Sequence, residues 1–297
     1  MIHRLQTEEC DRACRLDHYL YLNVEELSKG NIRKIIDLGG VHVDGRRTLK
    51  CGKKLLPNQA IEIHRDMRPL TPYRIQQQEV IFQDKYLIVL NKPAGIETQP
   101  TPSRYKGTLY EALQIWLKRD PRFRKLQIGM AQRLDRNTSG LIVFSIHPQS
   151  HKGLSEQIRN RTIGKHYLAL MANSPSPPEG TFRSLLARER RSNRMKSVEK
   201  GGKDAVTHYK VMETFQSHCL VAVKLETGRT HQIRVHFSEA GCPLLGDSRY
   251  GGLVSHNGKK YTRQCLHSWK LELQHPISGH SLHFETEIPE DMQLQSP

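Results

Sequence analysis

Apolar positions along the first part of the chain follow helical spacing, then switch to strand alternation. Leu16, Leu20 and Leu27 fall on one side of a short helix expected within Arg15–Leu27. Ser28-Lys29-Gly30-Asn31 then offers a cap. Behind it Ile32, Ile35, Ile36 and Leu38 make one apolar face, with Arg33 and Lys34 pointing away from it. Gly39-Gly40 stops that helix. Val41-His42-Val43 alternates as a strand, Asp44-Gly45 is a hairpin turn, and Ile61-Glu62-Ile63 closes the segment as another strand. Residues 15–65 therefore read as a small α+β unit, with Arg46, Arg47, Lys50, Lys53 and Lys54 strung along its second half.

Arg68-Pro69 and Thr71-Pro72 mark residues 66–74 as a linker. Beyond it, residues 75–297 alternate irregularly between strand-like and helix-like runs. Tyr86–Leu90, Leu141–Ile146, Lys165–Met171 and His218–Glu226 are strand candidates. Thr108–Lys118 is a helix with Leu109, Leu113, Trp116 and Leu117 on one face, and Thr230–Ala240 is a helix stopped by Gly241. This mixed order predicts an α+β fold rather than a regular βαβ repeat, and no internal repeat is visible. Asn173–Gly180 is a Pro- and Ser-rich loop. Arg183–Lys203 is dense in basic residues and reads either as a flexible solvated segment or as a surface that tracks RNA.

Charge narrows the class. The 297 residues carry 46 Lys and Arg against 30 Asp and Glu, a net charge of +16. Such an excess points to a polyanionic partner, nucleic acid first. No run approaches the roughly 18 apolar residues of a membrane span. Met1–Cys14 is polar, without the pattern of a secretory signal. A cytoplasmic protein with reduced thiols is expected, because six cysteines are too sparse for a disulfide scaffold. Cys10, Cys14 and His18 would share a face on a continuous helix, but no fourth ligand accompanies them, nor one for Cys242, Cys265 and His267. No metal site is expected.

The chain has no Walker loop, no G-x-G-x-x-G and no H-E-x-x-H, so chemistry must come from side chains. Three segments stand out. Gln132-Arg133-Leu134-Asp135-Arg136-Asn137-Thr138-Ser139-Gly140 puts Asp135 on a loop at the start of a strand; alone it is also an ordinary turn. Gly164-Lys165-His166-Tyr167 opens a strand, with Tyr167 readable as a core residue. Gly228-Arg229-Thr230-His231-Gln232-Ile233-Arg234 joins a strand to a helix.

Together these segments closely resemble the motifs of the RluA family of RNA pseudouridine synthases. Asn91-Lys92-Pro93-Ala94-Gly95, Gly246-Asp247 with Tyr250-Gly251, Leu266-His267 and His275-Pro276 also fit, and the resemblance runs from about residue 75 to 292. Gln132 stands where the family usually has His, and Gln99 near another such position. The resemblance implies a mixed, largely antiparallel sheet bent around a cleft and flanked by helices. It implies Asp135 as the essential carboxylate, Arg234 as its buried cation and Tyr167 against a flipped uracil. It also implies Arg133 in the space the base leaves and Arg229 at the RNA. Ile233 reads equally as a base neighbour or as core. No cofactor is implied.

Residues 15–65 resemble the S-four type RNA-binding module, which implies RNA-phosphate contacts for Arg33 and Lys34; Asn58 replaces that module's usual Gly-Asp turn. The expected protein is a monomeric RNA pseudouridine synthase acting on large-subunit ribosomal RNA, with transfer RNA as the other candidate. The competing class is a non-catalytic RNA-binding or ribosome-assembly factor. It would require damage at Asp135, Tyr167 or Arg234, and all three are intact. An RNA methyltransferase would need the missing cofactor loop.

Overall fold

A computed structural model describes residues 1–66, 68–123, 127–215 and 218–293. The chain divides into two compact units, residues 1–75 with 96–124 and residues 76–95 with 125–297.

The first unit is built on an antiparallel sheet of β1 (Ile2–Gln6), β2 (Val41–Val43), β3 (Arg46–Thr48) and β4 (Ala60–His64), in the order β1-β4-β2-β3. Helices α1 (Leu16–Asn23) and α2 (Lys29–Leu38) bury their apolar sides with it. Helix α2 follows its sequence signals closely. The Ser28 hydroxyl accepts from the Asn31 amide, Ile32, Ile35, Ile36 and Leu38 are buried, and Gly39 takes the left-handed φ of 87° that ends the helix. Helix α1 is shorter than the 15–27 pattern. Strand β1 lies in a stretch that reads simply as polar, because its half-buried positions are only His3 and Leu5, with Ile2, Arg4 and Gln6 facing outward. Buried Asp17 is chelated by Arg15 at 3.0 and 2.9 Å and by Arg33 at 3.1 Å. Those donors, Arg15 foremost, outweigh the cost of burial and hold its carboxyl at about 2. Residues 96–124 add α3 (Leu109–Lys118), capped by Thr108. Asp66, in the proline-rich stretch, pairs with Arg68 and Arg104.

The second unit is a ten-stranded sheet. Its strands are β5 (Val80–Gln83), β6 (Leu87–Lys92), β7 (Ser139–Ser145), β8 (Gly164–Met171), β9 (Glu179–Arg188), β10 (Met195–Val198), β11 (Lys203–Thr214), β12 (Cys219–Leu225), β15 (Leu266–Gln274) and β16 (Ser281–Glu285). The order is β10-β9-β11-β12-β8-β15-β7-β6-β5, with β16 on β15. A small hairpin, β13 (Ser255–His256) and β14 (Lys259–Lys260), stands apart. Helices α4 (Pro148–Arg159) and α5 (Gln232–Glu239) complete the unit. Strand β7 is buried at every position, as a central strand covered on both faces must be. Its pairing with β15 is parallel and the other named pairings are antiparallel, so the fold is the mixed, largely antiparallel α+β type.

Two expectations change. The basic segment 183–203 is not wholly loose: residues 183–188 belong to β9 and Met195–Val198 is β10, paired in register from Met195↔Arg188 to Val198↔Leu185. Its exposed face carries the charge and its inner face packs, so a charge run conceals an amphipathic strand. Cys10 lies in a 3₁₀ turn and His18 in α1, with Cys14 between them, so the shared helical face does not form.

Candidate active site

Asp135 sits on the loop that leads into β7, and this loop is fixed through its backbone. The carbonyl of Arg136 accepts from the fully buried Lys92 ammonium at 3.0 Å and from the Gly95 amide at 2.9 Å. The Asn137 carbonyl accepts from Arg263 at 3.1 Å. Leu134 is buried and Arg133 beside it is exposed, so the loop is anchored by one side chain and offers the next outward. Gly140 runs at φ 107°, where an added Cβ would lie 2.2 Å from the Ser268 carbonyl oxygen on β15. Only glycine lets β7 start this close to its parallel neighbour.

Arg234 comes from α5 and bridges two carboxylates. Its Nη1 donates to Asp135 Oδ2 at 2.9 Å. Its Nε and Nη2 grip Asp247 at 2.6 and 2.8 Å. Burial opposes its charge, yet the hydrogen bonds and charge of Asp247, with those of Asp135, keep its pKa above the ordinary arginine value. Because Asp247 takes the bidentate grip, one guanidinium serves two carboxylates and reaches Asp135 at a single point. The helix that carries Arg234 is oriented by Gln232. Its amide receives from Thr227 and from the Arg229 backbone and donates to Val206 and Thr207, at 2.8–3.0 Å.

Tyr167 projects from β8 opposite Ser268 of β15 and is 6% exposed. Burial raises its phenol pKa; the nearby Ser268 hydroxyl opposes the shift and the Asp135 charge adds to it. The phenol stays protonated at neutral pH. His231, just ahead of α5, directs Nε2 to Asp135 Oδ2 at 3.8 Å. The Tyr250 ring lies against the Arg234 guanidinium, 4.9 Å from centroid to carbon.

The structure thus brings together Asp135, Arg234 and Tyr167 from segments far apart in sequence. Ile233 is buried in α5. Arg229 turns its Nε to the Asp204 carbonyl at 2.8 Å. Arg33 and Lys34 belong to the first unit, both exposed, with Arg33 paired to Asp17. Sequence reading assigned no role to Lys92, His231, Asp247 or Tyr250, although the segments that hold them match family motifs. No cluster of three metal-ligating side chains occurs among the described residues.

A carboxylate held by a shared, buried arginine beside a protonated tyrosine suits an enzyme that works on a glycosidic bond without a redox group. Residues 86–239 match the RNA pseudouridylate synthase family. An uncharacterized RNA pseudouridine synthase of Chloroflexus aurantiacus is 36% identical over 95% of this chain and 89% of its own length. The ribosomal large subunit pseudouridine synthase D of Xanthomonas campestris is 32% identical over 94% of this chain and 87% of its own. Among solved structures, the human RNA pseudouridylate synthase domain containing 4 superposes with a TM-score of 0.60 at 25% identity, covering 72% of this chain and 90% of that one. The chain belongs to the RNA pseudouridylate synthase family. It is an isomerase whose substrate is RNA.

Proposed function

We propose that this protein converts specific uridines of large-subunit ribosomal RNA to pseudouridine, with Asp135 as the essential carboxylate. The observation that carries the assignment of Asp135 is its contact with Arg234, itself clamped by Asp247. The reaction breaks the bond from N1 to C1′, turns the uracil, and forms a bond from C5 to C1′; the C5 proton is lost and N1 takes one up, so the product is an isomer of the substrate. The base turns only out of the stack, so loops and bulges of RNA are the natural targets. Attack of the carboxylate on C1′ and removal of a ribose proton both use Asp135 as a carboxylate, and Arg234 is the cation that holds it in place. Tyr167, being protonated, offers uracil its ring face; such stacking is worth about 1–3 kcal/mol. Arg133 fills the gap left by the base, where a planar guanidinium stacks and reaches phosphate. Ile233 packs behind the base and Arg229 lies on the RNA path.

Residues 15–65 act as an S-four type RNA-binding module joined through 66–74 to a catalytic domain of 75–297. The helix–hairpin–strand order of the first unit supports this, with Arg33 and Lys34 exposed on α2. The ribosomal target rests on the named activity of the Xanthomonas relative. Monomeric action in the cytoplasm is part of the same reading.

The test is tritium release from ribosomal and transfer RNA transcripts carrying 5-tritiated uridine. Wild type is expected to release tritium from the ribosomal transcript. Asp135→Asn is expected to release none while binding the same RNA nearly as tightly. Wild-type turnover by Asp135→Asn would remove Asp135 from the chemistry. Release from transfer RNA alone would move the substrate class.

A further inference from the structure

His231 occupies an unusual position. It takes φ 55° immediately ahead of α5, the left-handed region that few residues other than glycine adopt cheaply. Strain of this kind persists where the surroundings impose it, and here Gln232 pins the turn through its contacts with Thr227 and Arg229. The result is an imidazole with one nitrogen facing Asp135 and the other facing Tyr250.

The protonation pattern of that ring follows from counting donors. The Tyr250 oxygen accepts the Met195 backbone N–H at 3.1 Å. The Tyr250 side chain is buried, and its single hydroxyl proton has one acceptor among the described residues, His231 Nδ1 at 2.7 Å. A buried hydroxyl keeps its donor paired. Nδ1 is then unprotonated, and the neutral ring carries its proton on Nε2, the nitrogen 3.8 Å from Asp135 Oδ2. Burial, with Arg234 and Arg249 adding to it, lowers the histidine pKa against the pull of Asp135 and Asp247, which agrees with a neutral ring. Arg234 reaches the same oxygen at 2.9 Å. Among the described residues Oδ1 accepts no hydrogen bond.

We infer that His231 is a positioning residue for Asp135: held as the Nε2–H tautomer by Tyr250, it joins Arg234 in orienting Oδ2 and so leaves Oδ1 as the oxygen that meets the ribose. The inference rests on the reading of Asp135 given above. A separation of 3.8 Å is electrostatic contact rather than a hydrogen bond, and such contacts commonly shorten once substrate closes the site.

The tautomer is read directly from ¹⁵N chemical shifts of histidine-labelled wild-type protein, with His231 assigned by its loss in His231→Gln. Protonated Nε2 and bare Nδ1 are expected; a proton on Nδ1 would overturn the inference. Kinetics give the second readout. A glutamine amide nitrogen sits near the place of Nε2, an asparagine amide nitrogen near that of Nδ1. His231→Gln is expected to exceed His231→Asn in kcat by about tenfold or more, with KM for the RNA similar in both. Tyr250→Phe, which keeps the ring on Arg234, is expected to lower kcat in the same direction as His231→Asn. Equal kcat for the Gln and Asn variants, in protein of unchanged melting temperature, would overturn the inference. Turnover by Asp135→Asn would instead overturn the reading of Asp135, and the two failures are told apart by the variant that shows them.

Discussion

Arg234 has three nitrogens on two carboxylates, a reach that neither lysine nor histidine could match. Arg234→Lys keeps a charge but cannot hold Asp247 at two points and Asp135 at a third. We expect at least about a tenfold loss of kcat from it, seen as slower tritium release. Arg234→Ala leaves Asp247 buried without a partner, so it is expected to cost about 3–5 kcal/mol in urea unfolding as well as activity. Lys165 is the converse case. It is 7% exposed and makes no ion pair or hydrogen bond among the described residues. Burial, then Arg229 and Arg161, push its pKa below the ordinary lysine value. Folding therefore disfavours its charged form. That destabilisation is full below the lowered pKa and fades as pH rises toward 10.5. Lys165→Met is expected to relieve it, and a gain of about 1 kcal/mol would raise the melting temperature by roughly 2–4 °C at neutral pH. At this scale the sequence points to Asp135, Tyr167 and Arg234 as candidates, because each stands in a contiguous, recognisable motif. It gives no sign of the contacts that Asp247 and His231 make, because those exist only after folding.

Among the elements, legibility follows how local the determinants are. Helix α2 shows its cap, its apolar face and its glycine stop within a dozen or so consecutive residues, and all three form. Strands β1, β9 and β10 depend on partners elsewhere in the chain, and their outward basic residues mask the alternation. Gly140 is a local signal with a non-local cause. In sequence it is one more turn residue; in the sheet it is where β7 meets the backbone of β15. Gly140→Ala is expected to destabilise the protein by about 3 kcal/mol or more, since neither the left-handed φ nor the Ser268 backbone can yield cheaply. Urea unfolding compares this variant with Gly95→Ala, whose added Cβ meets nothing within 4 Å.

For the whole molecule, the net charge of +16 sets how RNA is held. Composition alone identifies a polyanion as the partner but carries no information on which RNA, since phosphates are the same in all of them. Affinity for a loop-bearing transcript is expected to fall linearly on a plot of log K against log salt, with a slope of about −0.7 per single-strand phosphate neutralised. Replacing Arg33 and Lys34 together by alanine should flatten that slope by about 1–2 if both reach phosphate. An unaltered slope would take α2 off the RNA.

Strand β15 lies between β8 and β7, yet residues 266–274 are synthesised well after both of them. A ribosome that has released the chain through α5 has already delivered Asp135, Tyr167 and Arg234. It has not delivered Asp247, which orients the arginine, nor the strand that sets β7 and β8 at their proper spacing. Assembly of the centre therefore waits on a late insertion into the middle of the sheet, a step with high contact order. The nascent protein should complete its first compact unit well before it gains chemistry, since residues 1–75 and 96–124 are all made before β7 begins.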